Sequence, residues 1–290
     1  MVTTVSNNSI LTIGLPVYNG EKTISKSIDS LLNQTFQDFV LIISDNASTD
    51  STQKICMDYT KIDSRIKYIR HENNLGLLKN WNYLVQNTTT KYFMWAAVDD
   101  FWKPNFIKKN IQILENDQNI VGSISKVSLF KENNLDNPIS EKTKNTDLLL
   151  TISGTYKNRI KKLLKLNMAT SVYAIYRTDK LEKSLVFREY GAYDLQIILN
   201  ILEFGSLNVI DEFLMFRSIE GTSSKSYIRS HLKLKISLDK ILFPYIPITT
   251  FCLQKLGFKF FLKNIFLFFR LNGNGSYLIM LDIFKILKNS

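Results

Sequence analysis

Two adjacent carboxylates, Asp99 and Asp100, follow an apolar, aromatic-rich stretch that begins at Lys91. A short apolar run of this kind is typical of a strand buried in a parallel sheet, and the carboxyl ends of such strands are where open α/β sheets bind ligands. Two carboxylates there could hold a divalent cation that carries a diphosphate on its other side. The alternative is that the pair caps the helix predicted after Pro104, a local role that Asp commonly takes.

Polar clusters also follow the first two apolar runs of the chain, at residues 10–15 and 39–43. Each cluster alone could be turn chemistry, because Asn, Asp and Ser dominate turns for local reasons. A joint ligand-binding role is the better interpretation if the runs are parallel strands that end at one edge. The Asp of the second cluster could then accept a hydrogen bond from a base N–H, while its Asn and Ser order the loop. The clusters contain Tyr18, Asn19, Glu21, Asp45, Asn46, Ser48 and Asp50.

The elements that must position these side chains are predicted from hydrophobic periodicity. Apolar runs at 10–15, 39–43, 66–69 and 92–98 are separated by segments whose apolar residues recur at helical spacing. This alternation predicts an α/β protein with a mostly parallel, doubly wound central sheet, flanking helices and right-handed crossovers. The strands therefore bring their carboxyl ends, and the polar clusters, to one edge.

The second half of the chain is predicted to continue with helices at 104–116 and 157–166 and strands at 121–130, 171–176 and 207–216. The polar segment 131–150 is predicted to be a surface loop, either an acceptor lid or a variable loop. Asp194 starts a helix that Gly205 ends, so it is either an N-cap or a functional carboxylate.

Composition narrows the class of partner. The chain has 290 residues, 45% of them hydrophobic, which excludes disorder as a description of the whole, and its net charge of +11 indicates acidic partners. Nucleic acid is disfavoured, because the cations are scattered and no RNA-binding signature is present. No secretory signal and no stretch long enough to span a membrane is recognised, so we expect a cytoplasmic protein with Cys56 and Cys252 as reduced thiols.

Four motifs together resemble the family 2 glycosyltransferases of the GT-A fold, and they cover about the first 110 residues. They are the segments 16–21, 44–52 and 74–76 with Asn82, and the pair Asp99-Asp100. The resemblance implies a nucleotide-sugar donor, most often a UDP-sugar, a divalent metal (Mn²⁺ or Mg²⁺) and inversion at the anomeric carbon. It also implies that Asp45 reads the base and that Asp99, with Asp100, binds the metal. The implied donor-binding residues are Pro16, Tyr18, Asn19, Glu21, Asp45, Asn46, Ser48, Lys79, Asp99 and Arg217.

The same resemblance implies that Asp194 is the catalytic base, and four positions depart from the family pattern. Ala97 replaces the first acid of the metal motif, Tyr193 replaces the Glu before the base, and Ile219 replaces a His two residues after Arg217. Trp81 stands where many members carry Arg, and Lys79 is the nearby cation that could serve the diphosphate instead. Ala97 and Ile219 motivate the alternative of a catalytically impaired protein that only binds a nucleotide-sugar.

The carboxyl-terminal residues differ in composition from the rest, and the predicted division is a catalytic GT-A domain at 1–225 and a helical appendage at 226–290. The segment 257–270 is predicted to be an apolar helix with Lys259, Lys263 and Arg270 along one side. Such a stripe suits a membrane interface with anionic headgroups, which predicts peripheral association at the cytoplasmic face. Together with this tail, the family resemblance implies a glycan or lipid-linked glycan as acceptor, in the synthesis of a cell-surface polysaccharide or glycoconjugate. The alternative is a helical hairpin that turns at 273–275 and packs on the catalytic domain.

Overall fold

The structure is a computed structural model, and it describes residues 9–130, 149–188, 192–219 and 242–288. The predicted loop at 131–150, except its last two residues, and the predicted domain boundary at 225 lie outside the described residues. The elements in chain order are β1 Leu11–Val17, α1 Ile24–Leu32, β2 Phe39–Asp45, α2 Thr52–Ile62, β3 Ile66–Arg70, α3 Leu77–Gln86, β4 Tyr92–Trp95, β5 Phe101–Trp102, α4 Phe106–Asn116, β6 Ile120–Phe130, α5 Tyr156–Leu166, a 3₁₀ helix Ala169–Tyr173, β7 Ile175–Arg177, α6 Thr178–Glu182, α7 Tyr193–Ile201, β8 Ser206–Ser218, α8 Ile246–Leu256, α9 Phe258–Lys263 and α10 Ile265–Lys288.

The strands form one sheet in the order β3-β2-β1-β4-β7-β6-β8-β5. Strands β1 to β4 are parallel, with Val17 beside Asp45 and Asp45 beside Arg70 at their carboxyl ends. Strand β8 runs parallel to β6, whereas β7 is antiparallel to both β4 and β6, and β5 is antiparallel to β8. The predicted fold class, α/β with a mostly parallel central sheet flanked by helices, is confirmed.

The burial of the strands explains why their sequence pattern is continuous rather than alternating. All seven residues of β2 and all four of β4 are buried, because helices cover both faces of the sheet. Between β1 and β4 the contact is so close that a Cβ on Gly14 would lie 2.6 Å from the Phe93 ring. A side chain at position 14 would therefore force β1 and the Phe93 ring apart.

Two local predictions from the second half of the chain are wrong. The strand predicted at 171–176 is a 3₁₀ helix followed by β7, because Tyr176 donates a 2.6 Å hydrogen bond to the carbonyl of Ser171 and folds the segment back. Helix α7 ends at Ile201, before Gly205. Gly205 serves a close approach instead, since a Cβ there would lie 2.3 Å from the carbonyl oxygen of Asn119.

The carboxyl-terminal helices also differ from the prediction. The single helix expected at 257–270 is two helices separated at Asn264, and residues 273–275 lie inside α10 rather than in a turn. Gly275 is needed there because a Cβ would lie 2.5 Å from the ring of Tyr245. Within the described residues, the structure contains no helix that is long and apolar enough to cross a membrane.

One face of these helices packs on the rest of the chain, although the hairpin turn expected at 273–275 does not form. Ile248 and Cys252 of α8 are fully buried, and Phe268 of α10 is 3% exposed. Arg270 donates to the carbonyl of Lys165 at the end of α5, and Lys255 pairs with Glu203. Both cysteines are buried and free, as predicted.

Candidate active site

A cavity of about 270 Å³ opens at the carboxyl-terminal edge of the sheet. It lies among the end of β1, the first turns of α3, the loop after β4, the 3₁₀ helix, α7 and the end of β8. Chain segments that are far apart in the sequence therefore contribute its polar groups. The predicted site residues that line it are Pro16, Asp99, Asp100, Asp194 and Arg217.

The two adjacent carboxylates have different environments. Asp99 is half-buried and lines the cavity. Asp100 is 3% exposed, and its oxygens accept a 3.1 Å hydrogen bond from the backbone N–H of Ser218 and lie 3.7 Å from the Nε of Arg217. Asn105, not either Asp, is the N-cap residue of α4, so the pair does not cap that helix. Asp100 therefore joins the β4 loop to β8, while Asp99 faces the cavity.

Arg217 is held by three neighbours that surround its guanidinium. Its Nη1 donates a 2.7 Å hydrogen bond to the hydroxyl of Thr170, its Nε lies beside Asp100, and its Cζ lies 5.3 Å from the ring centroid of Tyr173. The Arg217 side chain is 23% exposed. A planar cation fixed in this way is well suited to bind a diphosphate, because guanidinium N–H groups match phosphate oxygens geometrically.

Asp194 lies in the first turn of α7 and is half-buried at the cavity wall. The N-cap residue is Ala192, with a left-handed φ of 68°, so the N-cap interpretation of Asp194 is wrong. One carboxylate oxygen accepts a 2.7 Å hydrogen bond from the N–H of Leu195. The amino terminus of the helix favours the negative charge of Asp194.

Three aromatic residues, Trp81, Tyr173 and Tyr193, also line the cavity. Trp81 stacks on Trp95 with ring centroids 5.0 Å apart. The rings of Tyr173 and Tyr193 are in edge contact with Trp81, each with its centroid 5.9 Å from that of Trp81. Burial raises the pKa of Tyr173, and the nearby Asp100, Asp99 and Asp194 raise it further while Arg217 opposes them. The phenol of Tyr173 is therefore neutral at physiological pH. Trp81, at the position where the family resemblance implies Arg, is therefore part of an aromatic cluster.

The first two polar clusters bind each other outside the cavity lining. Asn19 accepts a 2.8 Å hydrogen bond from the N–H of Thr49, and its own N–H donates to the hydroxyl of Ser48. Glu21 accepts from the N–H of Ser51, while Tyr18 is 49% exposed beside them. These contacts fix the loop after β1 to the loop after β2.

Asn46 extends the same network to the third loop. Its side-chain oxygen accepts a 2.7 Å hydrogen bond from the N–H of Leu75, and its amide donates to Asn74 and to the carbonyl of Gly76. Asn46 is 4% exposed and Ser48 is 3% exposed. The structure therefore places both residues as the loop-ordering groups that the sequence predicted, at the edge where the cavity opens.

Asp45, the predicted base reader, is fully buried. One of its oxygens accepts from the N–H of Ser48 at 2.8 Å, and the other accepts from the hydroxyl of Tyr68 at 2.5 Å and lies 3.8 Å from the Nε of Arg70. Burial and the hydrogen bond to Asp45 raise the pKa of the Tyr68 phenol, so it stays a donor. Because Asp45 is fully buried, a base N–H could reach its carboxylate only if the residues that cover it moved.

Lys79, the predicted substitute cation, is exposed on α3. Leu77 and Trp81 of the same helix line the cavity. Because successive helical residues are rotated by about 100°, a residue two positions from each of them points to the other side of the helix. Among the predicted site residues, the cation that lines this cavity is Arg217.

Thr170 and Tyr173 are cavity residues that the sequence did not predict. The hydrogen bond between Thr170 and Arg217 joins residues 47 positions apart, and the segment around Thr170 resembles a strand rather than the 3₁₀ helix it forms. No local pattern marks such a contact. It depends on how the helix is seated against β8.

Within the described residues, no group of three or more His, Cys, Asp or Glu side chains could hold a metal ion by itself. Mg²⁺ and similar cations at nucleotide sites commonly take one or two carboxylates and complete their shell with substrate phosphates and water. Asp99 fits that arrangement because it is half-buried and faces the cavity. Asp100 fits it less well, because its oxygens already contact Ser218 and Arg217.

Comparisons with known proteins identify relatives of this chain. A model of the family described as "Glycosyl transferase family 2" matches residues 12–185, more than half of the chain. An uncharacterized glycosyltransferase of Haemophilus influenzae is 32% identical over 130 residues, which are 44% of this chain and 40% of the relative. Glycosyltransferase GlyA of Streptococcus pneumoniae is 31% identical over 98 residues, 34% of this chain and 14% of the relative. The matches thus span less than half the length of these relatives.

Solved structures share the fold at low sequence identity. Staphylococcus aureus TarS 1-349 in complex with UDP-GlcNAc aligns with a TM-score of 0.61 and 17% identity, covering 84% of this chain and 66% of that one. Mannosyltransferase PcManGT from Pyrobaculum calidifontis in complex with GDP-Man and Mn²⁺ aligns with a TM-score of 0.61 and 12% identity, covering 98% and 77%. These alignments confirm the predicted GT-A fold.

Proposed function

The chain belongs to glycosyl transferase family 2, and on that premise we propose that it transfers a sugar from a nucleotide-sugar to an acceptor hydroxyl with inversion at the anomeric carbon. The observation that carries this proposal is that Asp99, Asp194 and Arg217 line one cavity although they lie on three separate elements. A sugar transfer needs support for the leaving diphosphate and a base for the acceptor. The cavity contains groups of both kinds.

The donor side is assigned to Asp99 and Arg217. Asp99 would hold Mn²⁺ or Mg²⁺, and when bound the ion would neutralise charge that develops on the diphosphate as the anomeric C–O bond breaks. Arg217 would bind a diphosphate oxygen with N–H groups that Thr170 and Asp100 already orient. Asp100 then acts mainly by positioning Arg217, which refines the prediction that both acids bind the metal.

UDP is the proposed nucleotide, and GDP is the next candidate. Support for a nucleotide-sugar comes from structures of the same fold whose descriptions include UDP-GlcNAc for TarS and GDP-Man with Mn²⁺ for PcManGT. The loop residues Tyr18, Asn19, Glu21, Asn46 and Ser48 would frame the nucleotide. Asp45 stays a prediction as the base reader, with the added requirement that the residues covering its buried carboxylate move to admit the base. The diphosphate-binding role of Lys79 stays a prediction. It would require that the bound donor extends beyond this cavity, because Lys79 does not line it.

On the acceptor side, Asp194 would remove the proton from the attacking hydroxyl as the new glycosidic bond forms. The bond from Leu195 fixes one carboxylate oxygen and leaves the group at the cavity wall. We propose a glycan or lipid-linked glycan as acceptor and the cytoplasmic face of a membrane as the place of work. The binding-only alternative is less favoured, since the proposed base and the proposed metal ligand both line the cavity despite Ala97 and Ile219.

The test is calorimetric binding of UDP to the full chain with and without Mn²⁺, using wild type, Asp99→Asn and Asp179→Asn. Asp179 is a carboxylate on α6 that is 61% exposed, and its variant is the control for a general loss of negative charge. We expect Mn²⁺-dependent binding in wild type and in the control, and its loss in Asp99→Asn. GDP and dTDP follow if UDP does not bind. The proposal is wrong if a folded wild-type chain binds none of the three.

A further inference from the structure

Helix α10 has two apolar faces, of which only one is packed. The inner face contains Phe268, Leu271 and Ile279, none more than 5% exposed. The outer face repeats every three or four residues along the same helix and consists of Phe266 (85% exposed), Phe269 (62%), Gly273, Tyr277 (60%) and Met280 (45%). Isolated exposed apolar residues are ordinary, but a row of large ones along one helix marks an interaction surface.

Helix α9 adjoins α10, since the rings of Phe261 and Phe268 stack with centroids 5.3 Å apart, and it also exposes apolar and basic side chains. Phe258 is 64% exposed and Leu262 is 50% exposed, one helical turn apart. Lys259 and Lys263 are the next residues along the helix and are also exposed. We call the exposed set on the two helices the aromatic-basic face; it consists of Phe258, Lys259, Leu262, Lys263, Phe266, Phe269, Tyr277 and Met280.

The charged residues between positions 242 and 281 have one sign. Residues 242–281 include Lys255, Lys259, Lys263 and Arg270 and contain no Asp or Glu. Lys255 pairs with Glu203, and Arg270 donates to the carbonyl of Lys165. Lys259 and Lys263 stand beside the exposed aromatic side chains, an arrangement that suits a surface with apolar material below an anionic layer.

We propose that the aromatic-basic face lies in the interface of a bilayer that contains anionic lipids, with α10 parallel to the membrane plane. The phenylalanines would enter the boundary between headgroups and acyl chains, while the two lysines bind headgroup phosphates. A second copy of this chain fits the face less well, because pairing the same face of two copies brings their Lys259 and Lys263 side chains together. This surface adds a defined lipid contact to the proposed function, and its test does not require sugar transfer.

The experiment is co-sedimentation of the full chain with vesicles of phosphatidylcholine alone and of phosphatidylcholine with phosphatidylglycerol. We expect binding to the anionic vesicles that weakens in 0.5 M salt, since the Debye length falls from about 8 Å at physiological salt to about 4 Å. Each cation near an anionic surface contributes about 1 kcal/mol, or about fivefold in affinity. Lys259→Gln combined with Lys263→Gln should therefore weaken binding about 25-fold, and Phe266→Ser combined with Phe269→Ser should weaken it on both kinds of vesicle.

The matched control is Lys54→Gln combined with Ile62→Ser, which removes an exposed cation and an apolar side chain that is 77% exposed, both on α2. It should bind vesicles as wild type does, and circular dichroism checks that each variant is folded. The inference is overturned if the wild type does not bind anionic vesicles. It is overturned as well if the double Lys→Gln and double Phe→Ser variants of the aromatic-basic face bind as well as the control. It is also overturned if light scattering shows a dimer that Phe266→Ser with Phe269→Ser dissociates. UDP binding by the same variants shows separately whether the donor site is intact.

Discussion

Replacement of Arg217 by Gln should destabilise the fold much more than loss of an ordinary surface cation. The carboxylate of Asp100 is 3% exposed and lies 3.7 Å from the Nε of Arg217. Removal of one partner of a buried ion pair costs about 3–5 kcal/mol, because the other charge stays buried. Arg217 is 23% exposed and Asp100 keeps the N–H of Ser218, so we expect a smaller loss, about 2–3 kcal/mol.

Asp100→Asn in the same chain should recover part of this loss, since the buried site then contains no unpaired charge. A double-mutant cycle of Asp100→Asn and Arg217→Gln should therefore give a coupling energy of about 1–2 kcal/mol. The measurement is the free energy of unfolding in urea, followed by circular dichroism, for wild type, both single variants and the double variant. The slope of the transition should not change, which would show that the unfolded state is comparable.

The matched control is the pair of Lys91 and Glu115, whose charged atoms are closer, at 2.8 Å, but whose side chains are 47% and 39% exposed. Exposed pairs of this kind contribute about 0–1 kcal/mol, so Lys91→Gln should cost little. If Arg217→Gln costs no more than Lys91→Gln, or if the losses of Asp100→Asn and Arg217→Gln simply add, Asp100 is not the positioning partner of Arg217. The proposal that Asp99 binds the metal while Asp100 positions Arg217 would then be wrong.

Three further outcomes are expected. Asp194→Asn should lower kcat about 10²–10⁴-fold in a transfer assay and leave calorimetric UDP binding unchanged; loss of both together would contradict its role as base. Thr170→Val should raise the KM for the donor about tenfold, as expected for a lost hydrogen bond to a charged group. Thr170→Ser keeps the hydroxyl and should have the wild-type KM. An effect on kcat alone would argue against a link between Thr170 and Arg217. Burial raises the pKa of Cys56 and of Cys252 to about 12. Between about pH 9 and 12 only the unfolded thiols ionise, so the free energy of unfolding in urea should fall as pH rises through this range. A variant with both cysteines replaced by Ala should show less of this pH dependence.

Much of the fold follows from patterns that are local in the sequence. Strands β1 to β4 and helices α1 to α4 were predicted because burial on both faces of a parallel sheet leaves continuous apolar runs, and one-sided burial leaves helical spacing. The same order placed Asp99 and the loops after β1 and β2 at one edge. The family resemblance then identified Asp194 and Arg217, and the comparisons confirm the family while leaving the roles of these residues as predictions.

The tertiary structure alone decided the contacts between residues that are distant in the sequence. Asp100 binds the N–H of a residue 118 positions away, and Thr170 binds Arg217 across 47 positions. Asp45 is buried under Tyr68, which comes from the neighbouring strand. None of these pairings leaves a period in the sequence, because periodicity reports which face of one element is buried and not what packs against it.

In the carboxyl-terminal helices, too, the sequence predicted the type of element but not its contacts. Their sequence determined that they are helical, apolar and basic, and it predicted one continuous stripe of cations. Only packing decided that α9 and α10 are separate helices, that Arg270 binds the end of α5 and that Gly275 admits the ring of Tyr245. An apolar sequence has more than one face that could be buried, and the side chains left outside are known only once the helix is docked.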